Sequence, residues 1–87
     1  MASLTDYLVR LLPNKYVKRE YLKSGARYAY WSSYLMNSAD PIQGREFERK
    51  FEFWQKEYVR RGFQPVSMDQ LELATSESKL QEILKRI

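Results

Sequence analysis

The sequence predicts an all-α fold, a small four- to five-helix, bundle-like domain with two longer central helices. Three observations carry this. Apolar side chains recur at helical spacing along most of the chain, and no stretch alternates as a strand would. Pro, Gly, Ser and Asp fall where helices start and stop. The stretch 41–61 places Glu46 before Lys50, Glu52 before Lys56 and Glu57 before Arg61. Acid-then-base pairs at this spacing each favour a helix by roughly 0.3 kcal/mol.

The first helix is expected over 4–12. Ser3 and Asp6 stand three apart as in a capping box, with Asp in place of the usual Glu or Gln. Leu4, Leu8, Leu11 and Leu12 follow at helical spacing, and Pro13 stops the run. Asn14 then suits the cap of a second helix over 15–37, with Gly25 as its one weak position, at about 1 kcal/mol against Ala. Asp40 and Pro41 suit the cap and first position of a third helix over 41–61, and Gly62 suits a left-handed C-terminal cap. Ser67 caps a short helix over 68–74, and a last helix covers 76–87 with Leu80, Ile83, Leu84 and Ile87 on one side. Nothing in the sequence between 66 and 87 forces those two apart.

Eighty-seven residues make one domain, 1–87, and at this size roughly 60–65% of the unfolded surface is buried. A hydrophobic content of 44% supplies a core and argues against disorder. Seven Tyr, four Phe and two Trp are expected to supply much of the burial, with Val, Leu and Ile modest. Cys is absent, which excludes disulfides, thiolate metal sites and a Cys nucleophile, and points to a cytoplasmic protein. The start of the chain lacks the basic residues and apolar run of a signal peptide, and no stretch approaches the roughly 18 apolar residues of a membrane span.

The two long helices differ in pattern. On the third, Phe47, Phe51, Trp54 and Tyr58 share an arc of roughly 60°. Such a seam packs against another helix, and its second use is self-association into a homo-oligomer. The second helix has two apolar arcs. Val17, Tyr21, Ser24, Tyr28, Trp31 and Leu35 form one; Leu22, Ala26, Ala29, Ser33 and Met36 form the other, rich in small residues that allow close approach. A helix with two packing faces sits centrally.

Between those arcs runs a third stripe: Tyr16, Arg19, Lys23, Arg27, Tyr30, Tyr34 and Asn37. Arg and Tyr combine large contact area with directed hydrogen bonds, which is why both are frequent in binding hot spots. Arg19, Lys23, Arg27, Tyr30, Tyr34 and Asn37 are therefore the candidate partner-binding residues. The plain alternative is a solvated face whose long stems shield apolar neighbours.

Net charge is +4, and it is uneven: the basic excess lies in 1–62, while 63–87 is slightly acidic. An anionic partner is implied, most simply a protein with an acidic surface. Arg10, Lys15 and Lys18 extend the basic set toward the N-terminus and make nucleic acid the alternative partner, although Lys15 and Lys18 fall off the stripe and no nucleic-acid-binding signature is present. A third reading is peripheral attachment to an anionic membrane through the first helix, against which its polar face is poor in Lys and Arg.

Catalysis is not expected. There is no His, and the three glycines do not form a phosphate loop. Asp6, Asp40, Glu46, Glu52 and Glu57 are accounted for as caps or helix pairs, and Glu48 and Glu52 lie on the solvated side of the third helix. No cofactor or metal is implied. The sequence thus reads as a helical accessory or adaptor protein.

Overall fold

The computed structural model describes residues 4–32 and 41–87. Over these residues it contains five helices: α1 (Leu4–Val9), α2 (Asn14–Tyr30), α3 (Pro41–Arg60), α4 (Met68–Leu73) and α5 (Glu77–Arg86). The longer helices α2 and α3 pack together, and α2 also packs against α4 and α5, so it is the central element. The Ser3 and Asp40 caps and residues 33–37 of the expected second helix lie outside the described residues. After Tyr30 the helix widens into a π-type turn at Trp31 and Ser32.

Helix α1 ends at Val9, three residues short of the expected end. Proline disfavours helical geometry in the residue before it, so the chain leaves the helix ahead of Pro13. Two turn bonds follow, Leu11 N–H to Leu8 O at 3.1 Å and Leu12 N–H to Val9 O at 3.2 Å. The terminal carbonyls also find a partner far along the chain. Arg61 Nη2 donates to Val9 O at 2.9 Å and to Arg10 O at 3.4 Å. A guanidinium here does what a C-cap does for orphan carbonyls.

The inward face of α1 also differs from expectation. Val9 is buried and Leu12 is half-buried against the core, whereas Leu8 and Leu11 are 52% and 70% exposed. A six-residue helix has room for little more than one contact row, and the Arg61 bonds to the backbone of Val9 and Arg10 fix which row that is.

Asn14 is not the N-cap of α2. Pro13 takes that place with extended backbone (φ −61°, ψ 149°) and no side-chain cap bond. Its carbonyl accepts from Tyr16 N–H and Val17 N–H, which starts the helix one residue early. The Asn14 side chain serves elsewhere, its Oδ1 accepting from Arg61 Nη1 at 2.8 Å.

At the end of α3, Gly62 adopts φ +90°, as expected of a left-handed cap. Gly62 N–H donates to Val59 O at 2.9 Å and Phe63 N–H to Tyr58 O at 3.4 Å, the paired bonds of a Schellman motif. The apolar contact that goes with this motif is present too, with the Phe63 and Tyr58 rings 5.1 Å apart. Ser67 and Ser76 cap α4 and α5, accepting from Gln70 N–H and Lys79 N–H respectively. The C-terminal region is therefore two helices with a turn over 74–76.

The core joins aliphatic side chains of α2, α4 and α5, among them Val17, Leu22, Leu71, Leu80 and Ile83, to a file of rings between α2 and α3. Tyr21 stacks on Tyr58 at 4.1 Å and on Phe51 at 5.7 Å; Tyr28 stacks on Phe51 at 5.5 Å; Phe63 extends the file beyond Tyr58. Each such pair contributes roughly 0.5–1.5 kcal/mol beyond area burial. Lys18 Nζ closes the file, 4.5 Å from the Phe63 centroid. The Tyr21 hydroxyl accepts from Val66 N–H at 2.9 Å and so fastens the connector between α3 and α4 to the centre. Burial pushes the Tyr21 hydroxyl pKa above its ordinary 10.0, against the opposing pull of the Val66 bond.

Gly25 has a packing reason rather than a conformational one. A Cβ at this position would lie 2.7 Å from Leu71 Cδ2 and 3.0 Å from Phe51 Cε1. The missing side chain lets α3 and α4 close on α2 from two sides.

Of the three expected ion pairs on α3, Glu57–Arg61 closes, at 2.9 Å, and the other two do not. Glu57 is also far from a solvated pair member. It is 5% exposed and accepts from both Arg60 and Arg61. The Arg60 hydrogen bond is the main cause holding its carboxyl down at about 2, with Arg61 adding to it against the opposing effect of burial.

Candidate functional site

The concave surface between α2 and α3 is the candidate site. Glu20, Lys23, Ser24 and Arg27 of α2 face Phe47, Lys50 and Trp54 of α3 around a cavity of about 220 Å³. The α2 residues are one turn apart (20, 23/24, 27), so they present a single edge of that helix. Phe47 and Trp54 lie two turns apart on α3 and supply the apolar wall.

The ring of Trp54 is held on two sides. Tyr16 meets it edge-on at 6.0 Å and Phe53 at 5.1 Å. The Ser24 hydroxyl is turned back on its own helix, donating to Tyr21 O at 3.1 Å. The charge around the cavity is three cations to one carboxylate, Glu20. Among the described residues, none of Lys23, Arg27, Lys50 and Glu20 is in an ion pair within 4.0 Å. A partly desolvated cleft lined by one sign of charge concentrates ligands of the opposite sign. Lys and Arg stems beside an aromatic wall also offer apolar contact. The arrangement thus suits a ligand that is both anionic and apolar.

The structure divides the stripe that the sequence suggested. Lys23 and Arg27 face the groove. Arg19 does not: its Nη2 lies 3.6 Å from Glu77 Oε1 of α5. Arg19 sits about 80° from Arg27 around the helix, far enough to reach a different neighbour. Tyr16 contributes indirectly, by packing on Trp54. Tyr30 is exposed, and Tyr34 and Asn37 lie outside the described residues.

Lys15 and Lys18 turn away from the groove. With Gln81, Leu84 and Lys85 of α5 they line a second hollow of about 350 Å³. Arg10 is exposed in the turn after α1. The basic residues of 10–27 therefore form no continuous track but divide between two sides of α2.

The aromatic seam of α3 is divided as well. Phe51 and Tyr58 are buried in the ring file, which removes them from any interface between copies of the chain. Phe47 and Trp54 stay half-exposed in the groove. Lys50, Glu20 and the groove role of Phe47 and Trp54 escaped the sequence reading. A signal was present, because Lys50, four residues before Trp54, lies only about 40° from it around α3 and borders the seam.

Among the described residues no group of three or more His, Cys, Asp or Glu is arranged to hold a metal ion, and no helix is long and apolar enough to cross a membrane. Comparison of the chain with family models, curated proteins and solved structures finds no match.

Proposed function

We propose that this chain is a non-enzymatic adaptor that binds a protein segment carrying both carboxylates and a large apolar side chain, through the groove between α2 and α3. One observation carries the reading: Lys23, Arg27 and Lys50 converge on a wall of Phe47 and Trp54, with Glu20 as the only facing acid among the described residues. The carboxylates of the partner pair with the cations, and its apolar side chain fills the space against Trp54. Arg and Trp at the centre of a cleft are the residue types that dominate binding energy in interfaces.

Two further points support a protein partner over a nucleic acid. The cations are divided by α2 into two sets, which does not suit a single phosphate backbone. A cleft of about 220 Å³ admits one or two side chains rather than a duplex. The non-enzymatic reading rests on the absence of His from the chain and on the use of Glu57 as a structural anion between two arginines.

The test is a panel of peptides titrated against the full chain, followed by the fluorescence of its two tryptophans. Peptides with acidic residues beside an aromatic bind and change the emission, and lysine-for-glutamate versions do not. Tighter binding of mixed-sequence oligonucleotides than of any acidic peptide, with a steep dependence on salt, rejects the reading.

A further inference from the structure

We infer that the end of the molecule around the start of α2 docks on an anionic lipid surface. Tyr7, Leu8 and Leu11 enter the interface, and the exposed Lys15 and Lys85 face the headgroups, with Lys18 beside them in the same hollow. The surface is separate from the α2/α3 groove and does not depend on what that groove binds.

The apolar part is the outer side of α1 and of the turn behind it. Tyr7 is 62% exposed, and with Leu8 and Leu11 it places three large apolar side chains in water within five residues. They are held there. The bonds from Arg61 to Val9 O and Arg10 O fix this segment with Val9 inward. Folding therefore leaves Leu8 and Leu11 outward by construction.

The basic part comes from elements that the sequence does not associate with α1. Lys15 lies four residues after Leu11, within about 14 Å even for extended chain. Lys15 and Lys18 share their hollow with Lys85, and Gln81 and Leu84 complete its lining. No carboxylate lines it. The two acids of α5 are engaged elsewhere, Glu77 with Arg19 and Glu82 with Lys79. Arg10, exposed in the turn after α1, adds a further cation close in sequence to Leu8 and Leu11.

Lysines gathered around one hollow repel each other unless an anion enters, and here, among the described residues, only Lys18 has a partner, the Phe63 ring. Exposed apolar side chains beside unneutralised lysines are the two components of peripheral membrane binding, since insertion supplies affinity and cations select anionic lipid. The polar side of α1 is poor in Lys and Arg, which counts against this role when the helix is considered alone. The fold answers that objection by gathering Lys15 and Lys18, which follow Leu11 within seven residues, with Lys85 around one hollow.

The experiment is co-sedimentation of the full chain with phosphatidylcholine vesicles, with and without phosphatidylserine. Binding is expected to the anionic vesicles alone. Leu8→Ser with Leu11→Ser should weaken it by roughly tenfold or more, and Lys15→Gln with Lys85→Gln by about fivefold per lysine. All four positions are exposed, so helical content by circular dichroism stays unchanged. Lys23→Glu with Arg27→Glu, in the groove, leaves vesicle binding intact and separates this idea from the adaptor reading. Failure to bind anionic vesicles at low salt overturns the inference. So does vesicle binding indifferent to Leu8 and Leu11, or lost with the groove variant instead. Binding of DNA that outcompetes the vesicles and ignores both leucines assigns the lysines to nucleic acid and equally overturns it.

Discussion

Replacing Arg61 with Met should destabilise this protein strongly, because it removes one partner of a buried ion pair. The Arg61 side chain is 9% exposed and its guanidinium makes four hydrogen bonds, to Glu57, Asn14, Val9 and Arg10. It is the tie between the end of α3 and the α1–α2 junction. Met keeps most of the apolar stem and loses every donor. Glu57 stays buried with only Arg60, whose side chain is 45% exposed and holds it less firmly. Removing one partner of a buried ion pair costs roughly 3–5 kcal/mol. The remaining arginine keeps the expected value near the low end, about 3 kcal/mol. A domain of this size has roughly 4–13 kcal/mol in all, and the change corresponds to a fall in Tm of about 15 °C.

The pH dependence is the sharper part of that prediction. The Glu57 carboxyl titrates at about 2 in the folded protein against an ordinary value of 4.5. Between those values the folded state binds fewer protons than the unfolded state, so stability rises with pH across the window. The contribution is complete above about pH 5 and is lost as pH falls toward 2. Its size is at most about 3 kcal/mol, and nearer 2 because Arg60 is partly in water. Urea denaturation followed by circular dichroism at a series of pH values measures it. Wild type and Arg61→Met should differ by about 3 kcal/mol near neutral pH; the part of the difference owed to Glu57 should shrink as pH falls toward 2, while the part owed to the Asn14, Val9 and Arg10 bonds persists. A difference under about 1 kcal/mol, or one that stays constant down to pH 2, refutes the reasoning.

Other expectations concern the ring file and its supports. Tyr21→Phe keeps the stacking but removes the acceptor of Val66 N–H, and should cost about 1–2 kcal/mol by chemical denaturation. Gly25→Ala gains about 1 kcal/mol of helix propensity but drives a methyl into Leu71 and Phe51; overpacking of roughly 1–3 kcal/mol should win, and a higher Tm would contradict the close approach. Gly62→Ala meets no neighbour within 4 Å, so its cost of about 1 kcal/mol comes from the left-handed backbone alone. A neutral result there means that the Schellman turn is not required.

Much of the fold was legible because its signals are local. Pro13, Gly62 and Ser67 each act on the few residues around them, and each sits at a helix end; the Ser76 cap, which separates α4 from α5, was not read. The two packing faces of α2 were legible from periodicity, since neighbours on opposite sides leave two apolar arcs. What periodicity does not encode is which neighbour takes which arc. That is why one stripe divides between the groove and Glu77, and why one seam divides between the ring file and the groove wall. Arg61 was least legible of all. Its spacing to Glu57 marks an ordinary helix pair, while its contacts with Asn14 and Val9 span 47 and 52 residues and exist only in the folded chain. The same limit hid the hollow of Lys15, Lys18 and Lys85, whose members come from opposite ends of the sequence.

The central claim is that the groove between α2 and α3 binds an acidic, apolar-bearing protein segment. Calorimetric titration of one such peptide into the wild type and into Lys23→Glu/Arg27→Glu/Lys50→Glu tests it most directly. Each cation lost should weaken binding by roughly two- to fivefold, and reversal of all three should abolish it while helical content is kept. Equal affinity for both proteins would place the binding surface elsewhere and contradict the account.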